Sequence, residues 1–160
     1  MTSKQRADTR EDDGVDWDAW IAERRAVFER GVSFNVHCGL VLEAAGRGWA
    51  RMRMALRPEV MNPYGAAHGG SVATLIDSVA GTAVAAGTAP EDRIMGTIDM
   101  RVDYLERAAG SALVAEGRLV RAGKAIAVAR VDVRDDRDCI VAIGTATYRL
   151  GEDWNRRNED

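Results

Sequence analysis

The chain has few cysteines and histidines, the residues that bind zinc and, for cysteine, form disulfides. Its 160 residues include only two cysteines, Cys38 and Cys139, and only two histidines, His37 and His68. Two isolated cysteines are a poor disulfide framework, and the N-terminus has no apolar signal-peptide region, so we expect the reducing cytoplasm. Neither histidine has zinc-ligand spacing to a cysteine or to the other histidine, so we expect no metal.

Excess positive charge is also missing. The 22 lysines and arginines are outnumbered by 25 acidic residues, for a net charge of -3. This argues against a nucleic-acid partner, because phosphate binding needs a clustered positive surface. Residues 69–89 are apolar enough to raise the question of a membrane span, but a mid-bilayer carboxylate such as Asp77 costs about 2.5–3.5 kcal/mol. We therefore interpret this stretch as a buried helix and expect no membrane partner.

The remaining composition is ordinary for a single globular domain, with 46% hydrophobic and 29% charged residues. Residues 1–16 are polar and dense in charge, which predicts a disordered tail. Residues 17–150 carry all the periodic apolar segments and are expected to form one domain. Residues 151–160 form a short charged tail.

Periodicity predicts a helix, two strands, a long helix and then four strands. An antiparallel sheet curved around one apolar helix is a two-layer α+β domain. Its exposed edge strand is naturally covered by pairing with a second copy of the chain. Along residues 94–105, strict alternation places Ile98 on one face of the strand and Thr97 with Asp99 on the other. The predicted helices span 17–30 and 71–86, and the predicted strands span 34–44, 49–56, 94–105, 112–121, 125–134 and 140–150.

The segment NPYGAAHGGSVATLIDS, residues 62–78, carries the chemistry. Gly69 and Gly70 allow the backbone to approach a ligand at a helix N-terminus, where unpaired N–H groups and the helix dipole favour a negatively charged oxygen. This arrangement predicts an oxyanion hole. Asp77 lies two helical turns further on among apolar residues, where an unpaired carboxylate is costly unless it has a function.

This segment, with the strand GTIDMRVDYLERA and the hairpin VRAGKAIAVARVDVRD, resembles the hotdog-fold acyl-CoA thioesterases of the phenylacetate-pathway (PaaI-like) group. The resemblance covers roughly residues 36–150. It implies a hotdog fold, in which a curved antiparallel sheet wraps one long central helix, here with an extra N-terminal helix. It also implies hydrolysis of an acyl-CoA substrate without a cofactor, in a homodimer or a dimer of dimers.

The resemblance implies a role for five positions of the motif. Asp77 is expected to act on the thioester as nucleophile or general base, and the backbone N–H of Gly69 is expected to polarise its carbonyl. Asn62 and His68 are expected to bind the carbonyl or sulfur region. Thr97 falls where relatives have a serine or threonine that helps position the attacking water.

Helix geometry adds a constraint. Gly69 and Asp77 are eight residues apart, about 12 Å along a helix axis, so one thioester carbon cannot lie within about 3 Å of both. If both serve one reaction, they come from different copies of the helix, and the site spans two subunits. Gly70 is expected to contact the substrate, and Lys124 and Arg121 are candidates for binding the phosphates of coenzyme A, with Arg130 and Arg134 as further basic residues.

Two other functions remain open from the residues. A hotdog-fold dehydratase or hydratase would use His68 and Asp77 as an acid–base pair over a hydroxyacyl or enoyl chain. A non-catalytic acyl-CoA-binding module would bind the same ligand without turnover. The histidine–glycine–glycine order favours the thioesterase.

Overall fold

A computed structural model describes residues 14–31, 33–89 and 93–151. The two predicted tails therefore lie almost wholly outside the described residues. The elements in chain order are α1 (Trp17–Gly31), α2 (Ser33–Cys38), β1 (Leu40–Gly46), β2 (Trp49–Ala55), a 3₁₀ turn (Pro58–Val60), α3 (Gly69–Gly87), β3 (Arg93–Tyr104), β4 (Ala112–Ala122), β5 (Ile126–Asp135) and β6 (Ile140–Gly151).

The six strands form one antiparallel sheet in the order β1-β2-β4-β5-β6-β3. The sheet wraps α3, whose buried face carries Val72, Leu75, Ile76, Val79 and Ala83 at helical spacing. This is the two-layer α+β architecture that the element order predicts, and it is the hotdog fold. By length and composition α3 is the one described helix that could span a membrane, yet 50% of that apolar window is buried within the fold.

The helix lies directly on the sheet because small residues line the contact. A Cβ added at Gly117 of β4 would stand 2.8 Å from the carbonyl oxygen of Val79. On the helix side, a Cβ at Gly81 would meet the Tyr148 ring at 3.4 Å. Tight packing against the sheet is the predicted reason for a glycine in mid-helix, but a Cβ at 3.4 Å is an ordinary van der Waals contact, so the packing at Gly81 does not require a glycine.

The prediction of a strand over residues 34–44 is wrong for its first six residues. Residues 34–38 belong to α2, and the strand begins only at Leu40. Asn35 and Cys38 are both buried, which fits helical spacing, because residues three apart share one face. Gly39 then reverses the chain with a φ of +70°, a conformation that glycine adopts without strain.

The two edges of the sheet differ in how they are covered. Beside β1, the Arg25 guanidinium of α1 donates to the backbone carbonyls of Leu42 (2.7 Å) and Glu43 (3.4 Å). On the opposite edge, no described helix or strand pairs with the outer side of β3. The strand edge left open within the described chain is therefore the one nearest Thr97.

Candidate active site

The turn before α3 is organised by the side chain of Asn62. Its Oδ1 accepts hydrogen bonds from the backbone N–H groups of Tyr64 (2.9 Å) and Ala66 (3.2 Å). Its Nδ2 donates to the carbonyl of Ala67 at 3.4 Å. Short polar side chains commonly stabilise turns in this way. In the described chain, the Asn62 amide thus shapes the turn that delivers His68 to the helix.

His68 caps the N-terminus of α3. Its Nδ1 accepts the Gly70 N–H at 3.0 Å, and its carbonyl accepts the N–H groups of Ser71 (2.9 Å) and Val72 (3.1 Å). The neutral imidazole therefore carries its proton on Nε2. Among the described residues, the Gly69 N–H has no acceptor, as is usual for the first residue of a helix. The cap leaves Gly69, and not Gly70, with an open donor.

The start of α3 is also tied to the end of β3. The Tyr104 hydroxyl donates to the Gly69 carbonyl at 2.9 Å. A Cβ at Gly69 would lie 3.4 Å from that hydroxyl oxygen, at the edge of ordinary van der Waals contact. The backbone of Gly69 is thus held in place while its N–H remains open.

Two hydroxyl groups hold the half-buried carboxylate of Asp77. The Thr97 hydroxyl donates to its Oδ1 at 2.7 Å, and the Tyr148 hydroxyl lies 3.0 Å from the same oxygen. The Tyr148 hydroxyl is also 2.6 Å from the Asp77 backbone carbonyl oxygen. Oδ2 makes no hydrogen bond to any described residue. One oxygen of Asp77 is therefore anchored, and the other is available to a ligand.

Thr97 reaches Asp77 because β3 is irregular. The pairing with β6 shifts between Thr97 and Asp99, so that these two residues lie opposite Tyr148 and Thr147, which are neighbours in sequence. The extra residue, Ile98, is a bulge with 56% of its surface exposed. Strict alternation, which groups Thr97 with Asp99, is wrong here. The bulge turns Thr97 onto the helix-facing side that it shares with Tyr148.

Tyr148 is the site residue for which the sequence interpretation assigned no role. Burial raises the pKa of its phenol well above the ordinary value, and the negative charge of Asp77 raises it further. The phenol is therefore a hydrogen-bond donor and not a base. The available signal was its place in β6, where the inward residues Ala142, Gly144 and Ala146 are small and one polar aromatic follows them.

Lys124 and Arg121 lie away from Asp77, in and beside the exposed β4–β5 hairpin turn. Neither forms an ion pair with a described residue. The turn lies at the same end of the sheet as Thr97. Strand register shows this, because Thr97 pairs with Tyr148, Tyr148 with Ala127, and Ala127 with Ala122 beside the turn. By contrast, Arg130 and Arg134 approach Asp132 (3.7 Å) and Asp138 (3.4 Å) respectively.

The parts of the chain that the structure describes contain no cluster of metal ligands. No group of three or more histidine, cysteine, aspartate or glutamate side chains is close enough to hold an ion there. The chemical groups at hand are a carboxylate, hydroxyl donors and a helix N-terminus. This set suits acyl transfer to water.

The chain is similar in sequence to known thioesterases. A profile of the thioesterase superfamily matches residues 64–142. The medium/long-chain acyl-CoA thioesterase YigI of Salmonella typhimurium is 34% identical over 139 residues, covering 78% of this chain and 90% of that protein. YigI of Escherichia coli is 33% identical over the same length. This chain belongs to the thioesterase superfamily. It is a hotdog-fold acyl-CoA thioesterase, as the motif of residues 62–78 predicts.

Solved structures of this superfamily share the fold. A Haemophilus influenzae thioesterase superposes with a TM-score of 0.76 at 17% identity, covering 82% of this chain and 90% of that one. The Escherichia coli PaaI protein from the phenylacetic acid degradation operon gives 0.72 at 19% identity, covering 84% and 94%. At these identities the likeness concerns the fold alone.

Proposed function

We propose that this thioesterase hydrolyses acyl-CoA with the carboxylate of Asp77 as its reactive group. The observation that carries the proposal is the asymmetric anchoring of that carboxylate. Oδ1 accepts the Thr97 hydroxyl at 2.7 Å and shares the Tyr148 hydroxyl, 3.0 Å away, with the Asp77 main-chain carbonyl, while Oδ2 has no partner among the described residues. A carboxylate held in this way is oriented for attack or proton abstraction without further reorganisation.

The reaction needs only groups that this chain carries. Asp77 either activates a water molecule or attacks the thioester carbon itself, and the carbonyl oxygen becomes an oxyanion. Collapse of the tetrahedral intermediate breaks the carbon–sulfur bond, and coenzyme A leaves as its thiolate. In the general-base route, water supplies the new oxygen of the free acid directly. In the nucleophilic route, departure of the thiolate leaves a mixed anhydride on Asp77, and water hydrolyses it to the free acid and the restored carboxylate. In this proposal Thr97 helps to orient that water.

The oxyanion donor in this proposal is the Gly69 N–H of a second subunit. Within one helix, the rise from Gly69 to Asp77 is about 12 Å, too far for one thioester carbon to contact both. The open edge of β3 next to Thr97 supports a two-fold dimer, because pairing that edge with its copy satisfies its free backbone groups. A dimer of dimers is compatible with the same pairing.

The remaining site residues bind and position the substrate. The Nε2–H of His68 is available to the thioester carbonyl or sulfur, and Asn62 acts through the turn that carries His68. Gly70 lets the substrate approach the helix end. Lys124 and Arg121 bind the coenzyme A phosphates from the hairpin, since neither cation has a described carboxylate partner.

The names of the YigI relatives support acyl chains of medium to long length as the substrate class. A panel of straight-chain acyl-CoAs, followed by release of the coenzyme A thiol, measures this directly. The highest kcat/KM is expected for medium or long chains. The cytoplasm, where acyl-CoA is made and consumed, is the proposed location.

Complementation between two inactive chains tests the shared site. One chain carries Asp77→Asn and the other Gly69→Pro, and two affinity tags isolate the heterodimer. Each homodimer is expected to be inactive. In the heterodimer one interface site combines both lesions while the other combines two intact residues, so about half of the wild-type activity per dimer returns.

The opposite outcome is equally clear. If Asp77 and Gly69 act within one chain, every site of the heterodimer carries a lesion, and no activity returns. A folded heterodimer as inactive as its parents therefore excludes the shared site. Wild-type turnover by the Asp77→Asn homodimer would instead exclude Asp77 as the reactive group.

A further inference from the structure

We propose that Tyr148 is a positioning residue for Asp77, and that its buried hydroxyl helps to fix the plane of the carboxylate, so that one oxygen stays free for the substrate. The inference rests on the proposed role of Asp77. Nothing in the motif of residues 62–78 indicates a role for Tyr148, because Tyr148 lies 71 residues beyond Asp77 in the chain.

The contact geometry selects a single orientation of the carboxylate. The Tyr148 hydroxyl lies 2.6 Å from the Asp77 backbone carbonyl and 3.0 Å from Oδ1, so it bridges the main chain and the side chain of one residue. Thr97 donates to the same Oδ1 at 2.7 Å from the neighbouring strand. The Tyr148 hydroxyl has a single proton, which is shared between the main-chain carbonyl and Oδ1. Together with the hydrogen bond from Thr97, this shared contact disfavours rotation about the Cβ–Cγ bond, because rotation would move Oδ1 away from both hydroxyls. Oδ2, which has no partner among the described residues, is then left available to a ligand.

Tyr148 is suited to donate and not to exchange protons. Only 3% of its surface is exposed, so water does not compete for the hydroxyl. Burial, followed by the charge of Asp77, holds the pKa of the phenol far above its ordinary value. The hydroxyl therefore keeps its proton throughout the neutral and mildly alkaline range. A threonine hydroxyl alone, at the exposed position 97, would be a less protected anchor.

The ring of Tyr148 packs directly against α3 at Gly81. On α3, a Cβ at Gly81 would meet both the ring and the hydroxyl oxygen of Tyr148 at 3.4 Å. Gly81 is one turn beyond Asp77 on the same helix, so the phenol that packs on Gly81 has its hydroxyl at Asp77.

Tyr148→Phe is the direct test, because it removes the hydroxyl and keeps the ring that packs on Gly81. Since a hydrogen bond to a charged group is lost, kcat is expected to fall about 10- to 100-fold. KM should change little, because Tyr148 is only 3% exposed. Circular dichroism and the melting temperature establish that the variant is folded. Unchanged kcat in the folded variant overturns the inference.

A double-mutant cycle separates positioning from support of the fold. In an Asp77→Asn background there is no carboxylate to orient, so adding Tyr148→Phe is expected to leave the residual kcat unchanged. An equal fold-loss in both backgrounds overturns the inference in favour of a purely structural tyrosine. High activity of Asp77→Asn alone refutes the proposed function itself. Full loss in Asp77→Asn together with unchanged kcat in Tyr148→Phe removes only the role of Tyr148.

Discussion

Gly69→Pro is a change that the fold can accept while the proposed oxyanion donor is lost. Gly69 is the first residue of α3, where proline is favoured because its missing N–H has no intrahelical acceptor. The preceding residue, His68, has φ -66° and ψ 138°, the extended conformation that a residue before proline prefers. The added Cβ would stand 3.4 Å from the Tyr104 hydroxyl oxygen, which requires at most a small adjustment.

The size of the expected loss follows from a count of donors at this helix end. The N–H of Gly70 is taken by His68 Nδ1, and those of Ser71 and Val72 are taken by the His68 carbonyl. Only one donor, that of Gly69, is therefore removed. Loss of one oxyanion-hole donor costs about 2.7–4 kcal/mol, or roughly 10²- to 10³-fold in kcat. Thiol release from a saturating acyl-CoA measures kcat, and circular dichroism verifies the fold.

Gly69→Ala is the matched control, since it adds the same Cβ but keeps the N–H. Its kcat is expected to stay within a few-fold of wild type. If alanine and proline reduce kcat equally, the effect comes from the conformation or the bulk of residue 69. A folded Gly69→Pro with wild-type kcat would refute the donor role outright.

Three further outcomes are expected. The double variant Lys124→Ala, Arg121→Ala should raise KM several-fold, weaken the dependence of KM on salt and leave kcat unchanged. The control Arg53→Ala on β2 should change none of these quantities. An unchanged KM in the double variant would exclude the hairpin as the phosphate site. Burial pushes the pKa of Asp135 upwards, but hydrogen bonds from the Arg137 guanidinium and from the N–H groups of Cys139 and Arg137 outweigh it and hold the pKa below its ordinary value. The stabilising effect of the Asp135 carboxylate is therefore complete above its ordinary pKa of about 3.9, and it is lost as the pH falls through the lower folded-state pKa. Asp135→Asn should lower the free energy of unfolding by about 1–3 kcal/mol in urea titrations at neutral pH, and it should weaken the loss of stability in acid. An unchanged loss of stability in acid would contradict this. Finally, because the pKa of Tyr148 is strongly raised, Tyr148→Phe should keep the alkaline limb of the kcat–pH profile of the wild type, and a displaced limb would show that the phenol titrates during turnover.

Much of the fold can be predicted from local sequence patterns. The long helix and the last four strands agree with their predicted bounds to within about two residues, because apolar periodicity and glycine- or aspartate-rich turns are local properties of the chain. The error at residues 34–38 has the same origin. A six-residue helix contains too few turns for its period to be told from that of a short strand, and the buried contact of Asn35 with Ser78 on α3 is 43 residues away in sequence.

The sequence by itself determined the hotdog fold, the thioesterase family and the spacing between a glycine at a helix N-terminus and a carboxylate two turns along the same helix. These depend on residues whose spacing is fixed by the helix itself. Tertiary structure decided which groups meet Asp77. A bulge at Ile98 turns Thr97 inwards, and strand register sets Tyr148 opposite Thr97 and above Gly81. Register is a property of hydrogen bonding between strands that are distant along the chain, and a one-residue shift moves a side chain to the opposite face of the sheet. No local pattern in β3 or β6 specifies that shift. The contacts of Thr97 and Tyr148 with the Asp77 carboxylate are therefore defined only by the folded sheet packed around the helix.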